Sequence, residues 1–229
     1  MTGRIVGIAS LAIVAASSVA SAALVTFDFQ DGTKNAAVTS PNVSAAITSL
    51  GGSASNYALA DHGIQTGSGN NFLSFSGIWQ TYQNEHYITL NVTVASGYKM
   101  DLNSFGYDML AGATTVEKGT TVGWSSAAFC SADGNAWPGL AVVNDTTSGY
   151  GTGGTPVFAN LTAPTFQNLT GTVSFRISPF KTPGTDIWGQ WQGVDNIVID
   201  GTVAAVPEPT LLMSVLGLGS LLSLKRRRA

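Results

Sequence analysis

Tyr87-Ile88-Thr89-Leu90-Asn91-Val92-Thr93-Val94 decides the fold. In an extended chain successive side chains point to opposite faces, so Ile88, Leu90, Val92 and Val94 share one side, and Thr89, Asn91 and Thr93 the other. An apolar face backed by a polar one marks an antiparallel strand with one side on a core and the other in water. The pattern recurs outward in both directions. Val173, Phe175 and Ile177 alternate with Thr172, Ser174, Arg176 and Ser178; Val25, Phe27 and Phe29 alternate with Thr26 and Asp28. Near the other end, Ile197, Ile199 and Val203 alternate with Asn196, Val198, Asp200 and Thr202. Residues 72–76, 99–107, 122–129 and 140–143 are further strand candidates. Between them lie turn formers: Gly51-Gly52, Gly67-Ser68-Gly69-Asn70, Ser96-Gly97, Asp133-Gly134, residues 151–154 and Pro183-Gly184. About eight strands at that spacing predict an all-β fold, an antiparallel β-sandwich of the jelly-roll kind. Only residues 39–50 leave room for a short helix.

Composition agrees. The 229 residues are 44% apolar, 10% charged and 9% aromatic, with 27 glycines. Such a mixture excludes a coiled coil, and it lacks the high charge of a disordered chain.

The two ends follow a different pattern. Arg4, the apolar run 5–14 and the small residues Ala20-Ser21-Ala22 make residues 1–22 a signal helix, with cleavage expected before Ala23. At the other end Val206-Pro207-Glu208-Pro209 precedes an apolar run over 211–224, then Lys225, Arg226, Arg227 and Arg228. The prolines stop a helix from propagating back into the body, so a short hydrophobic helix starts afresh near Thr210. Its anchor residues are Leu211, Leu212, Leu216, Leu218, Leu221 and Leu222. At helical rise the run reaches about 21 Å, against a hydrocarbon core of about 30 Å. The four adjacent cations act as a stop-transfer signal and hold that end on the cytoplasmic side. Residues 23–205 are then a β-sandwich domain, flanked by the signal helix and the tail 206–229.

This tail resembles the PEP-CTERM sorting signal of exopolysaccharide-producing Gram-negative bacteria, in which a Val-Pro-Glu-Pro motif, a short hydrophobic helix and an Arg-rich terminus follow one another. Pro207, Glu208 and Pro209 match the motif, 211–224 the helix and 225–228 the cluster. The resemblance implies that an exosortase recognises the tail and cuts near the motif. The chain would be anchored in the inner membrane before processing and reach the cell surface or extracellular matrix after it. The body is similar to the jelly-roll domains that often precede this tail, which open on a Phe-Asp-Phe-like strand and close on an Asp-Asn-Ile/Val strand. Phe27-Asp28-Phe29 and Asp195-Asn196-Ile197-Val198-Ile199-Asp200-Gly201 match those ends. That second resemblance makes Asp28, Asp31, Asp195 and Asp200 the candidates for a structural calcium where the terminal strands meet. Solvated turn and edge carboxylates are the alternative reading.

Residues 23–206 hold five Lys and Arg against twelve Asp and Glu, a net charge of −7 against −3 for the whole chain. Scattered cations cannot neutralise a run of phosphates, so no nucleic acid partner is expected. Cys130 is the single cysteine, which precludes an intrachain disulfide and reads as a small buried apolar residue. Glu85 and His86 point to opposite faces of a strand, and no nucleophile elbow, phosphate loop or His-rich metal motif is present. No catalytic residue is expected. Trp79 and Tyr82 stand near Gln80, Gln83 and Asn84, and Trp188 and Trp191 are interleaved with Gln190 and Gln192. These four rings either cap the core or form a platform for the apolar face of a sugar. The expected function is therefore an exported, non-enzymatic cell-surface or exopolysaccharide-associated protein. A carbohydrate-binding module using the exposed Trp residues is the alternative, and a secreted glycan hydrolase a further one.

Overall fold

A computed structural model describes residues 22–52, 59–67, 70–76, 86–110, 124–131, 138–144, 154–181 and 192–207. Among these the chain forms β1 (Ala22–Phe27), β2 (Val38–Thr39), β3 (Val43–Gly52), β4 (Ala60–Gly67), β5 (Asn70–Ser76) and β6 (His86–Val94). There follow β7 (Tyr98–Leu110), β8 (Trp124–Ser131), β9 (Gly139–Asn144), β10 (Thr155–Asn160), a 3-10 turn (Pro164–Phe166), β11 (Thr172–Lys181) and β12 (Gln192–Ala205). One sheet runs β10-β7-β12-β1-β2, with β5 also on β12 and β4 on β5; the other runs β3-β6-β11-β8-β9. Every pairing is antiparallel. The predicted all-β antiparallel sandwich is thus present. Residues 1–21 of the expected signal helix and the tail helix fall outside the described residues, while Ala22, its expected last residue, begins β1 opposite Gly201. Among the described residues no helix is long and apolar enough to cross a membrane.

The alternating apolar residues face inward. Ile88, Leu90, Val92 and Val94 of β6 and Val173, Phe175 and Ile177 of β11 are buried in one core with Phe105, Tyr107 and Met109 of β7 and Ile197 and Ile199 of β12. Phe175 meets Phe105 across the sandwich with ring centroids 4.8 Å apart. Cys130 is buried in the same core, as expected, and burial pushes its thiol up to about 12.

Residues 39–50 are corrected from helix to strand. Val43 N–H donates to Ser40 O at 3.1 Å across a turn with Pro41 first and Asn42 second, Asn42 at φ 64. Pro fixes the first turn position and Asn tolerates the left-handed second, so the chain reverses there instead of coiling. From Val43 the side chains alternate, with Val43, Ala45 and Ile47 packed on the core and Ser44 and Ala46 exposed. Gly51 and Gly52, predicted as a turn, continue β3 opposite Tyr87 and His86.

The turn at Ala95–Tyr98, with Gly97 at φ 81, carries β6 into β7 and defines a lower pole. From the registers, Gly52, Ser76, Leu110, Asn144 and Lys181 end their strands at the opposite, upper pole, where β4, β6, β8, β10 and β12 begin. Strand β12 runs back down to the lower pole, where Ala205 pairs with Tyr98 and Val206 N–H donates to Gly97 O at 2.8 Å.

Candidate functional site

The outward face of the five-stranded sheet is built by the polar half of the alternation. On β6 and β11 it carries Tyr87, Thr89, Asn91 and Thr93 beside Thr172, Ser174 and Arg176, with Thr93 opposite Thr172 and Asn91 opposite Ser174. The hydroxyls of Thr93 and Thr172 lie 2.8 Å apart, and Ser174 Oγ donates to Asn91 Oδ1 at 2.7 Å. The Arg176 guanidinium sits 3.8 Å from the Tyr87 ring centroid, where a cation meets the negative face of the π system. Burial pulls Arg176 below its ordinary range, against the opposing effect of Tyr87. Toward β8 the same face turns apolar, with Ala127, Phe129 and Phe180 forming a second buried cluster. The strip is rich in hydroxyls and amides, with one cation and one aromatic ring. Such groups hydrogen-bond a neutral polyol and have little to offer a polyanion.

A second polar group surrounds β12. Asp195 is 1% exposed and sits where β12 bulges, between Asp195 and Val198, with Asn196 at φ 47. It accepts from Asn196 N–H at 2.7 Å and from Asn70 Nδ2 at 2.6 Å. Asn70 Oδ1 in turn accepts from Gln30 Nε2 at 2.6 Å, and Gln30 N–H donates to Asp28 at 3.2 Å. Asp108, opposite Asp195 in register, accepts from Asn196 Nδ2 at 2.8 Å. Burial pushes the Asp195 carboxyl above the usual carboxylate range; the charges of Asp108 and Asp28 add to this, and the two hydrogen bonds oppose it. A carboxylate is acceptor-only, so Asp195 fixes which way the Asn70 and Gln30 amides point.

The candidate calcium ligands do not form one set. Asp28 and Asp195 belong to this relay. Asp31 caps Thr33 through its N–H at 2.8 Å and its hydroxyl, and Asp200 accepts from Ser104 Oγ at 3.0 Å. Five positions along a strand separate Asp195 from Asp200 by roughly 16 Å. Among the described residues no three His, Cys, Asp or Glu side chains are placed to hold a metal ion. The four expected calcium ligands are therefore not gathered at one point.

Of the sorting motif, Pro207 is described: it leaves the lower pole directly after β12, exposed. Glu208, Pro209, the leucines and the basic cluster lie outside the described residues, as do Trp79, Tyr82, Trp188 and Trp191. The described strands nearest to them in sequence, β5 and β11 before and β6 and β12 after, end and begin at the upper pole. Tyr87 and Arg176 were not anticipated as a pair. Their signal was the polar half of the alternation that revealed the strands.

No family model and no curated protein matches the chain. Several solved structures are similar to it. A carbohydrate-binding module specific for non-crystalline cellulose, CBM28, is 15% identical with a TM-score of 0.42, over 75% of this chain and 90% of that one. The CBM22-2 xylan-binding domain of Xyn10C from Paenibacillus barcinonensis is 14% identical with a TM-score of 0.39, over 80% of this chain and 100% of that one. The Stig cyclase Fisc from Fischerella sp. TAU, in complex with an indole compound, is 13% identical with a TM-score of 0.35, over 78% and 84%.

Proposed function

We propose that this chain is an exported, non-enzymatic β-sandwich protein that contacts neutral polysaccharide and is delivered by its two ends. The observation that carries the glycan reading is the outward strip on β6 and β11, where Asn91, Ser174, Thr93 and Thr172 offer donors and acceptors in register and Tyr87 offers a ring. A sugar needs that combination, because its hydroxyls seek hydrogen bonds while its C–H face seeks an aromatic surface. Residues 1–22 carry the body across the inner membrane, and an exosortase recognises and cuts the tail at Pro207-Glu208-Pro209. Delivery is supported by the position of Pro207, exposed at the lower pole just past Val206, whose N–H makes the last sheet hydrogen bond of β12 to Gly97 O. The final address is the cell surface or the exopolysaccharide matrix.

Retention on immobilised neutral polysaccharides tests the glycan contact. Tyr87→Ala and Asn91→Ala are each expected to weaken binding about tenfold, roughly 1.4 kcal/mol, with circular dichroism unchanged. Retention that survives both changes but is lost in Trp79→Ala or Trp188→Ala would move the contact to those residues. No retention on any glycan would end the reading.

A further inference from the structure

Among the described residues the large apolar side chains left in water are Val38, Phe158 and Val206. The first two end a single row across the outer face of the seven-stranded sheet. Register runs that row Phe158, Gly106, Val198, Thr26, Val38, from β10 through β7, β12 and β1 to β2. Val157 and Ala159 are buried on either side of Phe158, so its ring points outward. It lies beside Gly106, where an added Cβ would stand 3.7 Å from Phe158 Cδ2. The missing side chain leaves a flat floor next to the ring, in the middle of a 13-residue strand. At about 4.8 Å per strand the row spans roughly 19 Å.

Carboxylates flank it on both sides. Two positions toward the upper pole stands Asp108, which accepts from Asn196 Nδ2. Two positions toward the lower pole stands Asp200, which accepts from Ser104 Oγ, with Asn160 opposite that serine. Asp108 and Asp200 are roughly 13 Å apart along the strands, too far to share one ion. Among the described side chains the cations are engaged elsewhere: Lys34 with Asp61, Lys99 with Asn168 and Arg176 with Tyr87.

We propose that this face binds a polysaccharide of amino sugars whose amines are free and protonated. The C–H face of one pyranose packs on Phe158, and hydroxyls meet Asn160, Asn196 and Thr26. Ammonium groups on separate sugars reach Asp108 and Asp200. Carboxylates so spaced suit a charge that repeats along a polymer, and each weak surface pair is reinforced by the others through avidity. The net charge of −7 over residues 23–206 attracts a polycation at longer range. A helix of a basic protein would need several large anchors, whereas this row offers one ring among small side chains. The face lies on the sheet opposite the strip of β6 and β11 and does not depend on that strip.

Retention of the full chain on two immobilised polymers tests the proposal: a linear glucosamine polymer with free amines, and the same polymer fully N-acetylated. At mildly acid pH the amines are protonated while exposed carboxylates stay ionised. Retention on the free-amine polymer is expected to be about tenfold stronger than on the acetylated one, and to fall as salt rises. Phe158→Ala should weaken it about tenfold, and Asp108→Asn or Asp200→Asn about threefold each, without changing retention on the acetylated polymer. The unfolding midpoint of Phe158→Ala should stay near that of the wild type, since the ring is exposed. A loss on Phe158→Ala that is equal on the two polymers, or no loss on the free-amine polymer, would overturn the proposal. So would oligolysine that competes as well as glucosamine oligomers of the same charge, which would give the face to a basic protein.

Discussion

Phe175→Ala is expected to lower the unfolding free energy by about 3–5 kcal/mol, the usual cost of removing a buried phenylalanine. Phe175 is fully buried at the centre of β11, and its ring meets Phe105 of the opposite sheet at 4.8 Å. Phe105 continues to Tyr107 at 5.5 Å, so the three rings tie the sheets together. Truncation loses apolar transfer energy and leaves a cavity that two packed sheets can only partly collapse to fill. Domains of this size are commonly stable by only about 5–15 kcal/mol, and no disulfide is available to offset the loss. Urea unfolding followed by tryptophan fluorescence measures the effect. Phe158→Ala is the companion: Phe158 is 67% exposed on β10, and its removal should change stability by no more than about 0.5 kcal/mol. Equal costs at the two positions would contradict the assignment of inner and outer faces.

Gly201→Ala is the second large expected effect. A Cβ at Gly201 would lie 2.3 Å from the backbone oxygen of Asp101 and 2.7 Å from Leu24 Cδ1. Leucine can rotate, but a carbonyl in a sheet cannot withdraw without breaking its ladder. Gly201 sits where the β12–β7 register shifts, between a pairing with Ala22 on one side and Leu102 on the other. Overpacking a tight interior costs about 1–3 kcal/mol, and a backbone clash puts this substitution at or above the top of that range. The midpoint of urea unfolding should fall accordingly. An unchanged midpoint would mean that β12 and β7 are less closely paired here than described.

How much of this was legible in the sequence depended on one property, the segregation of apolar side chains by parity. Strands β6, β11 and β12 stand where they were expected, whereas β1 ends at Phe27, short of Phe29 at φ 56, and buries the neighbours Leu24 and Val25 together at a bulge. Strand β4 shows no such segregation: Ile64 alone of its larger residues packs on the core, while His62, Gln65 and Thr66 give it no apolar face to read. Strand β10 hides behind Pro156, which a central strand would exclude and this edge position accepts. Strand β3 was obscured by its alanines, its proline-led turn and a bulge near Thr48. For the site, the sequence displayed the polar half of each alternation but not its neighbours. The pairing of Asn91 with Ser174, and of Tyr87 with Arg176, depends on register, which hydrophobic pattern sets only through the whole sheet. The acidic residues at the terminal strands were visible, yet which of them meet was decided by the bulge after Asp195.

On the proposed reading a folded sandwich ends at Val206 and an address label begins at Pro207. The most direct test of that reading is the mature C-terminus, read by mass spectrometry from a host with an exosortase and from the same host with the enzyme deleted. The predicted result is a terminus at or near Pro207-Glu208-Pro209 in the first host and retention of the 211–229 tail in the second, with residues 1–22 absent from both. A chain that keeps Ala229 in both hosts, or that is recovered from the cytosol with Met1 still attached, would contradict it.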